Sequence, residues 1–198
     1  ARNLRALGIK HLALADPNQE QQKTFISEFA CDSYDDLDTA LQMEKPDVVF
    51  LCSPTKFHIP QALQAIETGA HVFIEKPLSN TMQGVNDLIE QTMRKGLIAM
   101  VGCNMRFHHG PATVKRLIDE GKIGTVEHAQ IYTGSFLPDW RPLQDYHKSY
   151  SADPEQGGAI LDCIHEIDLA LWYLGEATLE HASVESASAI GLAVDGTA

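Results

Sequence analysis

Short apolar runs of β type alternate with helical segments in the first half of the chain, and this alternation limits the possible folds more than any other feature. The apolar runs cover residues 10–15, 47–52, 71–75 and 97–103. Apolar residues at helical spacing lie between them at 59–68 and 81–95. This order predicts βαβ units, with the continuous apolar strands in a parallel sheet covered on both faces.

The pattern changes after Cys103. We predict a helix near 111–120, a strand near 125–132, an irregular stretch at 133–156, a second helix at 159–174 and a β-like run at 180–189. A domain boundary is expected near 104–110, which gives two domains at 1–105 and 106–198.

Both ends of the chain predict a fragment of a longer protein. The sequence begins within a predicted helix at 1–7 and stops in strand-like sequence. Its 14 glycines include no G-x-G-x-x-G motif, although a doubly wound domain of this layout would place one just upstream. We therefore expect the first strand and its glycine-rich loop to be missing.

The charge balance argues against nucleic acid as a partner. Lysine and arginine total 15 against 27 acidic residues, for a net charge of −12, and no basic cluster could follow a phosphate backbone. No apolar run is long enough for a membrane span, and the N-terminus lacks a signal pattern, so we predict a soluble cytoplasmic protein. The cysteines form no CxxC pair and are expected to be buried, reduced thiols: Cys31, Cys52, Cys103 and Cys163.

Ligands of open parallel sheets bind beyond the carboxyl ends of the strands. Asp16 ends the first run and could accept hydrogen bonds from both hydroxyls of an adenosine ribose, or it could simply form a turn before Pro17. Ser53, Pro54 and Thr55 end the second run, and their hydroxyls and amides could line a cofactor groove.

His58 follows these residues and is a candidate for the same groove or an ordinary helix-entry residue. Glu75, Lys76 and Pro77 end the third run. A lysine at this place points into the crevice, where Glu75 can orient it and Pro77 fixes the backbone behind it. The alternative is a surface lysine.

A last group of polar residues follows Gly157 and Gly158. Asp162 and His165 are three residues apart on the predicted helix, so their side chains share a face and the carboxylate can orient the imidazole. A mostly buried helix tolerates such residues only beside a polar cleft or with partners. A hydrogen-bonded core pair is the alternative.

Together these motifs closely resemble the Gfo/Idh/MocA oxidoreductases, over nearly all of the chain. The resemblance rests on the run 71–78, on Ser53-Pro54 with His58, and on the Gly-Gly, Asp162, His165, Asp168 string. It implies an α/β fold in which an incomplete, doubly wound Rossmann domain (1–105) binds NAD(P). An incomplete α+β domain with an open mixed sheet (106–198) then serves substrate binding and dimerisation.

The same resemblance implies roles for single residues. Lys76 falls on the family's catalytic lysine, Asp162 and His165 on its aspartate and histidine, and Asp16 on its ribose-binding position. Many members separate the aspartate and histidine by four residues, whereas here the separation is three. Many also carry Trp-Arg shortly before Gly-Gly, where this chain has residues 149–154 instead.

The expected reaction is hydride transfer between NAD and a carbinol carbon of a sugar, amino sugar, sugar nucleotide or polyol. His165 would take the hydroxyl proton, Lys76 would stabilise the reacting oxygen, and Asp162 would orient His165 or bind substrate. NADP is less expected, because Asp16 would repel a 2′-phosphate. The alternatives are an NAD-dependent glycosidase acting by transient oxidation and elimination, or a silent sugar or cofactor binder.

Further residues could recognise the sugar, because loops beside a site supply aromatic faces and hydrogen-bonding edges. The candidates are Arg106, Asp139, Trp140, Asp145 and Tyr146. No metal site is expected, since the adjacent His108 and His109 point apart on a turn. The full-length protein is expected to form a homo-oligomer.

Overall fold

A computed structural model describes residues 1–140 and 142–197, which form two compact units. The first unit comprises 1–51, 59–73 and 84–100. The second comprises 52–58, 74–83 and the described residues from 101 onward. The segments that follow the second and third predicted strands therefore belong to the second unit, together with the C-terminal half of the chain.

Helices and strands alternate through the first half of the chain, as predicted. They are α1 (Arg2–Ala6), β1 (Ala13–Ala15), α2 (Gln19–Phe29), β2 (Asp32–Tyr34), α3 (Leu37–Glu44), β3 (Val48–Leu51), α4 (His58–Glu67), β4 (His71–Ile74), α5 (Val85–Lys95) and β5 (Ala99–Val101). The sequence pattern missed β2, because this strand is only three residues long and begins with two polar ones.

The strands of this half form two separate sheets. β1 pairs in parallel with β2, with Ala13 opposite Asp32, and the other sheet has the order β3-β4-β5. Val72 N donates to Ile98 O (2.9 Å) and Gly102 N to Ile74 O (2.7 Å), so β4 and β5 run in the same direction. Helices α4 and α5 supply the crossovers that parallel strands require. The separation of β1 from β3 is the arrangement expected if a further strand belongs between them.

The core of the first unit lies on one face of the larger sheet. Ala62, Ala65 and Ile66 of α4 are completely buried, at the three- and four-residue spacing that places them on one side of a helix. The opposite face bears Val48 and Phe50, which are 43% and 44% exposed. The prediction of a sheet covered on both faces is therefore wrong for the described residues, which cover this face only in part.

Glycines in the left-handed region mark both ends of α5. Gly84 (φ 75°) precedes the helix and Gly96 (φ 64°) ends it. The helix begins at Val85 and not at residue 81, because the left-handed backbone of Gly84 interrupts helical geometry before it; Thr81 N bonds to the Ser79 hydroxyl (3.2 Å) in a preceding turn.

Regular structure is sparser in the C-terminal half. Its helices and strands are α6 (His109–Asp119), α7 (Leu137–Trp140), α8 (Ala159–Asp162), α9 (Ile164–Leu174), β6 (Glu185–Ser186) and β7 (Asp195–Thr197). β6 and β7 pair antiparallel. The predicted helix at 159–174 is interrupted at Cys163, whose backbone (φ −100°, ψ 30°) leaves helical geometry.

The two strands predicted in this half are largely wrong. Residues 125–132 contain no described strand, and within 180–189 only Glu185–Ser186 is assigned to one. A strand is stable only when a neighbour pairs with its backbone. Within the described ranges, 125–132 has no such neighbour, and Tyr132 is 86% exposed.

No helix among the described residues is long and apolar enough to cross a membrane. The four cysteines are free thiols, as expected, but the prediction that they are buried is wrong. Cys52 is exposed and the other three are half-buried. Cys52 follows the last residue of β3, at the rim of the sheet.

We expect Ile66→Ala to lower the free energy of unfolding of the full-length protein by about 3 kcal/mol, because it opens a cavity in a fully buried site. Ile89→Ala is the matched control, since Ile89 lies on α5 and is 52% exposed. Urea titration of both variants measures the difference. Equal effects of the two substitutions would contradict the assignment of the core.

Candidate active site

Lys76 lies just beyond the end of β4, after Glu75, and reaches the last residue of α8. Its half-buried side chain donates from Nζ to the backbone carbonyl of Asp162 (2.8 Å). Glu75 is exposed, and its carboxylate accepts from the backbone N–H of Lys76 (3.1 Å). Glu75 therefore holds the backbone of the lysine, and the ammonium group is positioned by Asp162.

The carbonyl of Asp162 can accept this bond because the helix is interrupted. In a continuous α-helix it would accept from the N–H of Glu166, four residues later. Glu166 N instead donates to Cys163 O (3.3 Å). The sequence predicted one helix carrying Asp162 and His165 on one face, and the structure corrects this: Asp162 ends α8, and His165 lies in the first turn of α9.

The carboxylate of Asp162 has two hydroxyl partners that the sequence did not single out. Burial raises the pKa of Asp162 above its ordinary value, against hydrogen bonds from Ser151 and Tyr150 and the charge of Lys76, all of which lower it. Both hydroxyl residues lie in the stretch 149–154, where the sequence departs from the Trp-Arg of the family that it resembles. That departure was the one feature of the sequence that could have pointed to Ser151 and Tyr150 as partners of Asp162.

Gly157 and Gly158 precede α8 in a crowded turn. A Cβ atom at Gly157 would lie 2.2 Å from the carbonyl oxygen of Ser151, and one at Gly158 would lie 2.0 Å from a carboxylate oxygen of Asp195. The other oxygen of Asp195 accepts from Ile160 N (2.7 Å) in the first turn of α8. The turn therefore holds Ser151, α8 and Asp195 together only because both positions lack a side chain.

His165 presents a buried nitrogen with no hydrogen-bond partner among the described residues. The atom is Nδ1, on a half-buried side chain. Buried polar nitrogens in proteins are nearly always paired, and an exception calls for an explanation, of which a catalytic role is one. The unpaired nitrogen therefore marks His165 as a candidate functional residue.

Asp168 follows His165 by one helical turn and binds Arg106. Arg106 donates to its carboxylate from Nε (2.9 Å) and Nη2 (2.5 Å), and the guanidinium carbon lies 5.7 Å from the ring centre of Trp172. The hydrogen bond from Arg106 holds the pKa of Asp168 below its usual value, with Cys103 as a further hydrogen-bond donor. Arg106 was predicted to bind sugar, but its guanidinium is engaged with α9.

The predicted cofactor residues after β3 differ in accessibility. Ser53 is half-buried, Pro54 is exposed, and Thr55 is 6% exposed at the start of a 3₁₀ turn. His58 is 1% exposed, with Nδ1 2.9 Å from Pro77 O and Nε2 2.8 Å from Ser53 O. As the first residue of α4 it fits the helix-entry alternative, and its ring faces protein carbonyls instead of an open groove.

Asp16 is half-buried directly after β1 in the first unit. One carboxylate oxygen accepts from Asn18 N (2.8 Å), as a turn-forming aspartate does. Its backbone carbonyl accepts from Nε2 of Gln22 (2.7 Å), a buried side chain of α2. The ribose-binding role stays a prediction.

The other predicted sugar-binding residues differ in their contacts: those of Trp140 and Asp145 are local, whereas Tyr146 reaches a residue 44 positions away. Asp139 is exposed, and the indole N–H of Trp140 donates to the Ser135 hydroxyl. The carboxylate of Asp145 accepts from the backbone N–H of His147 (3.1 Å). The hydroxyl of Tyr146 donates to the carbonyl oxygen of Ile190 (3.2 Å). These bonds anchor the loop, and sugar recognition stays a prediction. Within 1–140 and 142–197 no three His, Cys, Asp or Glu side chains are grouped as metal ligands.

Comparison with known proteins identifies the family. A family described as "Oxidoreductase family, NAD-binding Rossmann fold" matches residues 2–103, and the GFO/IDH/MocA C-terminal domain matches residues 112–197. The chain belongs to the Gfo/Idh/MocA oxidoreductase family. This membership confirms the resemblance carried by Lys76, Asp162 and His165, although the roles of the individual residues stay predictions.

Two curated proteins are among those to which this chain is similar. A 2,7-anhydro-N-acetylneuraminate hydratase of Mediterraneibacter gnavus is 31% identical over 85% of this chain and 43% of its own length. A scyllo-inositol 2-dehydrogenase (NAD(+)) of Bacillus subtilis is 30% identical over 85% of this chain and 47% of its own length. The chain thus spans less than half the length of these relatives.

A solved structure to which this chain is similar supports the fold. Scyllo-inositol dehydrogenase from Lactobacillus casei, with bound NAD(H) and scyllo-inositol, matches with a TM-score of 0.73 and 26% identity, over 82% of this chain and 48% of that chain. This match confirms a Rossmann-like parallel sheet followed by a C-terminal domain. Only part of the longer relative is represented, as the sequence predicted.

We expect Asp168→Asn to lower the free energy of unfolding by about 2 kcal/mol at pH 7, since it breaks a charged hydrogen-bond pair. The pKa of Asp168 is lowered in the folded state. The ionised Asp168 therefore contributes its full share to the free energy of unfolding above the ordinary carboxyl pKa of about 3.9. This contribution is lost as the pH falls through the lowered pKa of the folded state.

Urea titrations at pH 7 and pH 3 test this, and the difference between wild type and Asp168→Asn should shrink at the lower pH. Glu176→Gln, at an exposed position after α9, should show little effect at either pH. A difference that grows on acidification would contradict the assigned ion pair.

Proposed function

We propose that the full-length protein transfers a hydride between a sugar or polyol carbinol carbon and NAD. The observation that carries this proposal is the contact between the strand-end ammonium of Lys76 and the carbonyl of Asp162 (2.8 Å), in the same unit as the unpartnered buried Nδ1 of His165. A cation and a proton acceptor are what a hydroxyl group needs when it loses a proton during oxidation.

Residues 1–105 are the dinucleotide-binding domain in this proposal, and residues 106–198 begin the substrate and dimerisation domain. Family membership and the carboxylate of Asp16 at the end of β1 support NAD as the cofactor. Asp16 would accept hydrogen bonds from the ribose hydroxyls. When bound, NAD would supply the hydride-accepting ring.

The side chains of this chain divide the remaining work. Lys76 donates a hydrogen bond to the reacting oxygen and stabilises its alkoxide character. His165 takes the hydroxyl proton and returns it in the reverse direction. Asp162, held by Ser151 and Tyr150, orients the substrate hydroxyl next to the reacting one.

The substrate class is a hydroxyl-rich ring or chain: a polyol, sugar, amino sugar or sugar nucleotide. The named inositol dehydrogenases among the relatives support a polyol. The loop with Asp139, Trp140, Asp145 and Tyr146 would provide specificity. A cytoplasmic location and a homo-oligomeric full-length protein complete the proposal.

A second candidate is a reaction without net oxidation. The relative named as a hydratase favours it, because hydration leaves the redox state of the substrate unchanged. In this chain the same residues would serve a transient oxidation by NAD, elimination of the leaving group, addition of water and return of the hydride to the substrate, as in an NAD-dependent glycosidase. Lys76 and His165 keep their proton-handling roles in either reaction.

Screening the full-length enzyme with NAD against inositols, sugars, amino sugars and sugar nucleotides tests the proposal. Hydride transfer raises the absorbance near 340 nm in proportion to substrate. Product release without that rise indicates the second candidate. Binding of sugar or NAD with neither signal would overturn both and identify a silent binder.

We expect Lys76→Met and His165→Ala each to lower kcat by at least about 10²-fold, because each group acts on the transition state. The Kd of NAD, measured by titration calorimetry, should change by less than a few-fold. Lys122→Met and His128→Ala are matched controls at exposed positions of the same unit. Near-native kcat in either site variant would exclude the catalytic role of that residue.

We expect kcat/KM to favour NAD over NADP, because the Asp16 carboxylate accepts ribose hydroxyls and repels a 2′-phosphate. Asp16→Ser should reduce this preference by at least about tenfold, the equivalent of about 1.4 kcal/mol. Asp38→Ser, on the exposed side of α3, should leave the preference unchanged. A wild-type preference for NADP would contradict this role of Asp16.

A further inference from the structure

The imidazole of His58 joins the backbones that follow two neighbouring strands. Its Nε2 lies 2.8 Å from the carbonyl oxygen of Ser53, just after β3, and its Nδ1 lies 2.9 Å from that of Pro77, after β4. The side chain is 1% exposed. One buried ring therefore lies within hydrogen-bond distance of both strand-end segments.

At least one of these contacts is a hydrogen bond in any protonation state. A neutral imidazole carries one N–H, and whichever nitrogen has it finds a carbonyl oxygen in front of it. A buried polar ring is stable only with such partners. This hydrogen bond is therefore the reason that a buried histidine can occupy this position at the start of α4.

Pro77 is the residue through which His58 can influence Lys76. Proline has no backbone N–H, so its carbonyl is its only polar backbone group. Pro77 is itself buried, and its carbonyl oxygen lies 2.9 Å from Nδ1 of His58, from which it accepts a hydrogen bond when that nitrogen carries the proton. Lys76 precedes it directly, with its N–H bonded to Glu75 and its Nζ bonded to Asp162 O.

We propose that His58 is a positioning residue for Lys76. It holds the carbonyl of Pro77 against the start of α4, and this fixes the point from which the Lys76 side chain extends to the carbonyl of Asp162. This inference rests on the proposed function, in which the Lys76 ammonium meets the reacting oxygen. Displacements of about 1 Å at a catalytic group cost about 10²-fold in rate.

Substitutions at His58 separate the two contacts. The amide nitrogen of asparagine takes the place of Nδ1 and can still donate to Pro77, while that of glutamine takes the place of Nε2 and can still donate to Ser53. Phenylalanine fills the space with no donor. The proposal requires the Pro77 contact, so His58→Asn should preserve function better than His58→Gln or His58→Phe.

The first readout is steady-state kinetics of the full-length enzyme with its substrate and NAD. We expect kcat to fall at least tenfold in His58→Phe and His58→Gln and less than threefold in His58→Asn, with the Kd of NAD within threefold in all of them. His71→Gln is the matched control, a histidine of β4 whose Nδ1 accepts from Ile98 N (2.9 Å). It should leave kcat unchanged.

The second readout does not depend on the reaction. Hydrogen–deuterium exchange of the peptide covering residues 74–80 should quicken at least tenfold in His58→Phe, return close to wild type in His58→Asn, and stay unchanged in His71→Gln. If the enzyme shows no hydride transfer, the exchange measurement still tests the contact between His58 and Pro77. The proposed function would then be wrong, while the effect of His58 on residues 74–80 could still be confirmed.

Two results would overturn the inference. One is a folded His58→Phe variant with unchanged exchange at 74–80 and unchanged kcat. The other is a fall in kcat and in exchange protection that is as large in His58→Asn as in His58→Phe. Such a result would mean that the ring acts by packing and not through Pro77. If His58→Phe does not fold, the comparison of Asn with Gln decides between these outcomes.

Discussion

The hydrogen bond from the ammonium of Lys76 to the backbone carbonyl of Asp162 is the contact on which the candidate site depends. It exists because the helix stops at Cys163 and leaves that carbonyl without its intrahelical donor. A backbone carbonyl cannot titrate, so the ammonium keeps an acceptor whatever the protonation state of the Asp162 carboxyl. The carboxylate remains free for Ser151 and Tyr150 and for substrate.

The sequence predicted the first half of the fold well because that half is built from local signals. Apolar runs mark β3 and β4, helical spacing marks α4, and Gly96 marks the end of α5. The same signals placed Lys76 at the end of a strand. They failed at Cys163, since the apolar spacing of 159–174 favours one continuous helix and gives no sign of an interruption there.

The partners of the polar groups were beyond the reach of local signals. Arg106 and Asp168 are 62 positions apart, and no spacing rule connects them. Their contact depends on how the turn before α6 packs against α9, which only the tertiary structure supplies. For the same reason the predicted strand at 125–132 was wrong, because a strand depends on its neighbours as much as on its own residues.

The two glycines before α8 have a consequence for comparing sequences in this family. At both positions a side chain would collide with a neighbour, with the Ser151 backbone in one case and the Asp195 carboxylate in the other. Wherever this packing is kept, glycine is required at Gly157 for reasons of space and at Gly158 by its positive φ (93°), irrespective of the reaction. A shared Gly-Gly among distant sequences therefore reports a common shape of this turn, and it carries no information about whether those proteins share a substrate or are catalytically active.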